Sequence, residues 1–73
     1  MEYKKISIKE EFIRLDSAMK LADMVNSGGH AKIVIQGGEV KVNGEICTMR
    51  GKKLRIGDTA EFEGKEIVID NAP

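Results

Sequence analysis

Apolar and polar residues alternate imperfectly at the start of the chain, where Tyr3, Ile6 and Ile8 stand among Lys4, Lys5, Ser7 and Lys9. That period of two predicts a short, half-exposed edge strand. Leu15, Ala18, Met19 and Ala22, joined by Leu21 and Val25, then recur at three- and four-residue spacing and predict a helix whose body runs from Asp16 to Asp23. Ser27 is a good N-cap for a second helix opening in Gly28-Gly29-His30. The segment Ala31 to Gln36 is ambiguous, because the β-branched Ile33-Val34-Ile35 would also pass as a buried strand. Ala31, Val34 and Ile35 share a helical face, and Gly37-Gly38 offers a left-handed stop.

After Gly38 the period returns to two. Val40 and Val42 alternate with Glu39 and Lys41, Asn43-Gly44 reads as a hairpin turn, and Glu45-Ile46-Cys47-Thr48 forms the returning strand. Met49 to Arg55 reads as a basic loop and Ile56-Gly57-Asp58 as a turn. Thr59 to Glu63 and Glu66 to Asp70, separated by Gly64-Lys65, read as a closing antiparallel pair. This order predicts an α+β fold with two helices packed on one face of a small antiparallel sheet. No repeat, linker or low-complexity tract divides residues 1–73, so one domain is expected.

Length narrows the function classes. With 73 residues the core is thin, and a deep, enclosed active-site cleft is not expected. A 33% charged, 41% apolar composition suits a folded globule. The longest apolar runs, such as Ile33-Val34-Ile35, fall far short of the roughly 20 residues that cross a bilayer. No membrane association and no secretory leader are expected, and a lone Cys47 fits a reducing cytoplasm.

Net charge is zero, but its distribution is uneven. Between Arg14 and Arg55 eight basic residues stand against four acidic ones, whereas from Ile56 onward Lys65 stands against Asp58, Glu61, Glu63, Glu66 and Asp70. Either this is chance scatter or one face attracts phosphate while another repels it.

Catalysis has little to work with, since one His and one Cys provide no convincing pairing of nucleophile and base. No cofactor and no metal are expected. Cys47 reads as a small buried apolar side chain in a strand, and Met19 and Met24 as core. His30 either donates to a phosphate or faces solvent with no role. Ser27-Gly28-Gly29-His30-Ala31-Lys32 lacks any complete dinucleotide or P-loop fingerprint. It is either an ordinary capped turn or a phosphate site built from helix-start N–H groups, with Lys32 one turn on. Arg50-Gly51-Lys52-Lys53-Leu54-Arg55 is the densest positive patch, whether a solvated loop or a polyanion-binding one. Lys20 either joins Lys32 or pairs with Asp16. The three aromatics, Tyr3, Phe12 and Phe62, are not interleaved with the basic cluster, so base stacking is disfavoured and shape and phosphate reading of a folded RNA is the better match.

Arg14-Leu15-Asp16, Ala22, Ser27, Ala31-Lys32, Ile35, Gly38, Val40-Lys41-Val42-Asn43-Gly44 and Ile56-Gly57-Asp58 together resemble the pattern of the S-four-type RNA-binding domain, or αL domain. This module is named after a small-subunit ribosomal protein and recurs in pseudouridine synthases, tyrosyl-tRNA synthetases and a heat-shock RNA-binding protein. The match covers roughly residues 13–62, and the chain is most similar to short stand-alone bacterial members.

The resemblance implies that residues 31–36 are helical and that the helix pair and the following loop grip folded RNA, commonly ribosomal or transfer RNA. Members often carry Ser-Arg at the second helix start, with the arginine on phosphate. Here Gly28 follows Ser27, so that interaction is either missing or replaced by backbone N–H groups. The expected surface comprises Arg14, Lys20, Ser27, Gly28, Gly29, His30, Lys32, Lys41, Asn43, Arg50, Lys52, Lys53 and Arg55. Asn43 can equally serve only as the hairpin residue that tolerates positive φ. The expected function is non-catalytic binding of structured RNA by a cytoplasmic monomer, in ribosome assembly or quality control, with a ribosomal subunit as a possible partner. The alternative is a protein-interaction module that uses its sheet edge or acidic C-terminal strands.

Overall fold

A computed structural model describes residues 2–72. The elements are β1 (Glu2–Ile8), β2 (Ile13–Arg14), α1 (Leu15–Leu21), α2 (Gly28–Gln36), β3 (Lys41–Val42), β4 (Glu45–Ile46), β5 (Lys53–Leu54), β6 (Thr59–Phe62) and β7 (Lys65–Asn71). Five strands form one sheet in the order β1-β7-β6-β3-β4, and β2 and β5 form a separate two-stranded ribbon.

The α+β architecture expected from the pattern is present, with β1 at the sheet edge. The sheet is mixed, not purely antiparallel, because β1 runs parallel to β7. Both helices, the β3–β4 hairpin and the basic segment lie between these two strands in the chain, a crossover long enough for parallel pairing.

Ile6 and Ile8 of β1, Val42 of β3, Ala60 and Phe62 of β6, and Ile67 and Ile69 of β7 point to one side of the sheet. Leu15, Ala18 and Met19 of α1 and Ala31, Val34 and Ile35 of α2 meet them in a single core cluster. Burying each leucine- or isoleucine-sized side chain contributes about 1.5–3 kcal/mol, which holds the helices on that face. The opposite face carries a row in register across five strands: Tyr3, Glu66, Glu61, Lys41 and Ile46.

Both helices end in the same way. Asp23 adopts φ 59°, and the Met24 N–H donates to the Met19 carbonyl at 2.9 Å. This Schellman-type closure ends α1 at Leu21, two residues before the expected end of its body. Leu21 then lies off the buried stripe and is 60% exposed. Gly38, at φ 78°, closes α2 similarly, with the Glu39 N–H donating to the Val34 carbonyl at 3.1 Å. The β-branched run is therefore helical.

Hairpins form at Asn43-Gly44 and Glu63-Gly64, where all four residues take positive φ. The strand expected over residues 45–48 stops at Ile46. Cys47 lies beyond it, only half-buried against the core, with its thiol 3.7 Å from the Met49 carbonyl.

Candidate functional site

The basic segment is not the free loop its composition predicted. The first N–H groups of a helix need outside acceptors, and Arg14 at the N-cap position of α1 supplies no side-chain bond. The segment supplies acceptors instead. The Leu15 N–H donates to the Lys52 carbonyl at 2.8 Å and the Asp16 N–H to the Arg50 carbonyl at 3.1 Å. Alongside, β2 pairs antiparallel with β5, Ile13 opposite Leu54 and Arg14 opposite Lys53.

Alternation along this ribbon divides its residues. Leu54 is fully buried and Ile13 packs on the core, so both anchor the ribbon, while Arg14 and Lys53 point outward. The Arg14 guanidinium lies beside Gly51, 3.7 Å from where a Cβ would stand. Arg14, Arg50, Lys52 and Lys53 are thus assembled on the start of α1. Phe12, at the edge of the ribbon, lies with its ring centroid 4.9 Å from the Lys53 ammonium. Sequence distance separates this aromatic residue from the basic cluster, and the fold joins them.

The charges here are mostly uncompensated. Arg14 pairs with Asp16 at 3.2 Å, so Asp16 serves Arg14 and not Lys20. Among the described side chains, Lys20, Lys32, Lys41, Arg50, Lys52, Lys53 and Arg55 have no carboxylate within 4.0 Å, and all seven are exposed.

A second group lies at the start of α2. The Ser27 hydroxyl accepts the His30 N–H at 3.1 Å, the expected cap. His30 is half-buried. Its Nδ1 accepts the Asn26 N–H at 3.2 Å, and its ring meets Phe62 edge-on at 6.4 Å, so it joins α2 to the sheet and is neither idle nor fully exposed.

Gly28 and Gly29 are helical, without positive φ. A Cβ at Gly28 would meet nothing within 4 Å, and one at Gly29 only the Ser27 hydroxyl at 3.8 Å. Neither space nor conformation requires glycine at these positions. Among the described residues their N–H groups have no acceptor, so they remain open to an anion. Lys32 lies exposed one turn on, and Lys20 lies in the last turn of α1. α1 is about 10 Å long at about 1.5 Å per residue, so Lys20 in its last turn stands nearly that far from the ribbon at its start.

Two expected residues lie elsewhere. Lys41 is on the outer sheet face, opposite Glu61. Asn43 is held within the fold. At φ 52° it makes the hairpin turn, its Oδ1 accepts the Thr59 N–H at 3.0 Å, and its Nδ2 donates to Asp58 at 3.1 Å. Arg55 leaves the ribbon into a turn in which its N–H donates to Asp58 Oδ2 at 2.7 Å. Among the described residues no group of three or more His, Cys, Asp or Glu is placed to hold a metal ion. No helix among them is long and apolar enough to cross a membrane.

The chain is similar to known proteins in sequence and in fold. The sequence profile of the S4 domain matches residues 6–70. A Bacillus subtilis protein named for ribosome maturation, RlbA, is 49% identical over 59 residues, covering 81% of this chain and 83% of that one. An Escherichia coli protein named for RNA binding, YbcJ, is 34% identical over 61 residues, covering 84% of this chain and 87% of its own. The solution structure of E. coli YbcJ, described as an αL motif involved in RNA binding, superposes with a TM-score of 0.68 at 31% identity, over 96% of this chain and 87% of that one. The chain belongs to the S4 domain family.

Proposed function

We propose that this protein is a non-catalytic module that binds structured RNA, and that its RNA is ribosomal, bound during ribosome assembly or quality control. The observation that carries this reading is the cluster of Arg50, Lys52 and Lys53 pinned to the start of α1 with no carboxylate within 4.0 Å among the described side chains. Together these residues form the densest positive patch in the chain, held on one element so that a polyanion meets several charges at once. Arg14, partly neutralised by Asp16, borders the cluster, and the open N–H groups of Gly28 and Gly29, with Lys32 and Lys20, offer a second phosphate-binding point along α1. The ribosomal assignment is supported by the naming of the B. subtilis relative. Lys41 and Asn43 are left out of this interface, the first because it lies on the outer sheet face opposite Glu61, the second because its side chain is engaged.

Titration against a ribosomal RNA stem-loop at several salt concentrations tests this reading. If about four to six phosphates are neutralised, log affinity falls against log salt with a slope of about −3 to −5. A flat response between about 50 and 200 mM salt contradicts it.

A further inference from the structure

Phe12 is the unexplained residue of the ribbon. It is 36% exposed and lies outside the core cluster that takes up its neighbours Ile13 and Leu15. Its partner is a cation, the Lys53 ammonium 4.9 Å from the ring centroid. The ribbon's ladder places Lys53 opposite Arg14, and the Arg14 guanidinium lies beside Gly51, so the ring borders the positive cluster and does not stand isolated on the surface. An exposed ring beside cations that are free to take phosphate is the combination that receives an unstacked nucleobase: the ring takes the base, the cations its backbone.

We infer that Phe12 is a stacking platform for an unpaired nucleotide, so that the preferred ligand is an RNA helix interrupted by a bulged or looped-out base. This rests on the RNA-binding reading above and narrows its substrate class. It also runs against the expectation, drawn from sequence spacing, that base stacking is disfavoured. In this arrangement Lys53 has two tasks. It steadies the ring from one side and meets the phosphate beside the stacked base.

The test uses the full chain and three synthetic RNAs: a stem with a single-nucleotide bulge, the same stem with an abasic bulge, and the fully paired stem. The wild type is expected to bind the bulged stem about five- to a hundredfold more tightly than the other two, the range that one base–aromatic stack supplies. Phe12→Ala is expected to abolish that preference and leave affinity for the paired stem nearly unchanged in the folded protein, with the melting temperature lowered by about 4–8 °C or more because most of the ring is covered. The chain contains no tryptophan, so Phe12→Trp makes the indole the only one present. Its fluorescence is expected to be quenched by the bulged stem and not by the abasic one. Equal losses on all three RNAs in Phe12→Ala, or an indole emission that saturating bulged RNA leaves unchanged, overturn the stacking role while RNA binding stands. Absence of wild-type binding to any stem overturns the RNA-binding reading and this inference together.

Discussion

Gly28 and Gly29 set helix stability against access to the backbone. Glycine costs a helix interior about 1 kcal/mol relative to alanine and less in the first turn where these two stand, yet an added Cβ has room at both positions. Gly28→Ala and Gly29→Ala are therefore each expected to raise the melting temperature, by less than about 4–8 °C, while weakening RNA binding, because a methyl group holds phosphate away from the open N–H groups. Calorimetry beside RNA titration checks the pair of effects, and a gain in stability with unchanged affinity removes the α2 start from the interface. Asn43 makes the opposite case. Its left-handed turn and its bonds to Thr59 and Asp58 give it a structural role, so Asn43→Ala is expected to cost about 1–2 kcal/mol by denaturant unfolding with RNA affinity retained in the folded fraction.

At the scale of elements, the ribbon depends on Leu54. It is fully buried while its neighbours Lys53 and Arg55 are exposed, so it ties the cationic segment to the core. Leu54→Ala is expected to cost about 2–5 kcal/mol and to release the ribbon from α1, whereas Leu54→Met stays within about 1.5 kcal/mol. Hydrogen exchange at Leu15 and Asp16, whose N–H groups bond to the segment, reports that release.

The same element marks the limit of what the sequence alone reveals. Helix spacing in Leu15, Ala18 and Met19, the Ser27 cap and the Asn43-Gly44 turn are local signals, and each appears where the pattern placed it. The β2–β5 pairing is two residues per strand between distant segments, too short to impose a period. Hence the basic stretch reads as a loop, and the approach of Phe12 to Lys53 has no counterpart in the spacing. The parallel β1–β7 pair is hidden for a similar reason: alternation gives the faces of a strand, not its direction.

Over the whole molecule, a net charge of zero conceals a division. The ribbon brings Arg14, Arg50, Lys52 and Lys53 together, while the outer sheet face mixes signs, with Glu61 opposite both Glu66 and Lys41 and Lys5 paired with Asp70. A polyanion is drawn to the first more than to the second, which orients the protein as it approaches. The most direct measurement is the salt dependence of RNA affinity for the triple variant Arg50→Ala, Lys52→Ala and Lys53→Ala, set against the wild type. These side chains are exposed and make no ion pair among the described residues, and the variant removes the contact of Lys53 with Phe12, so the melting temperature is expected to fall by no more than about 4–8 °C. Binding is expected to weaken by at least about tenfold and the slope of log affinity against log salt to lessen by about 2–3, one step of roughly 0.7–0.9 for each phosphate that the variant no longer neutralises. A folded triple variant with wild-type affinity and an unaltered slope would show that the ribbon does not meet RNA.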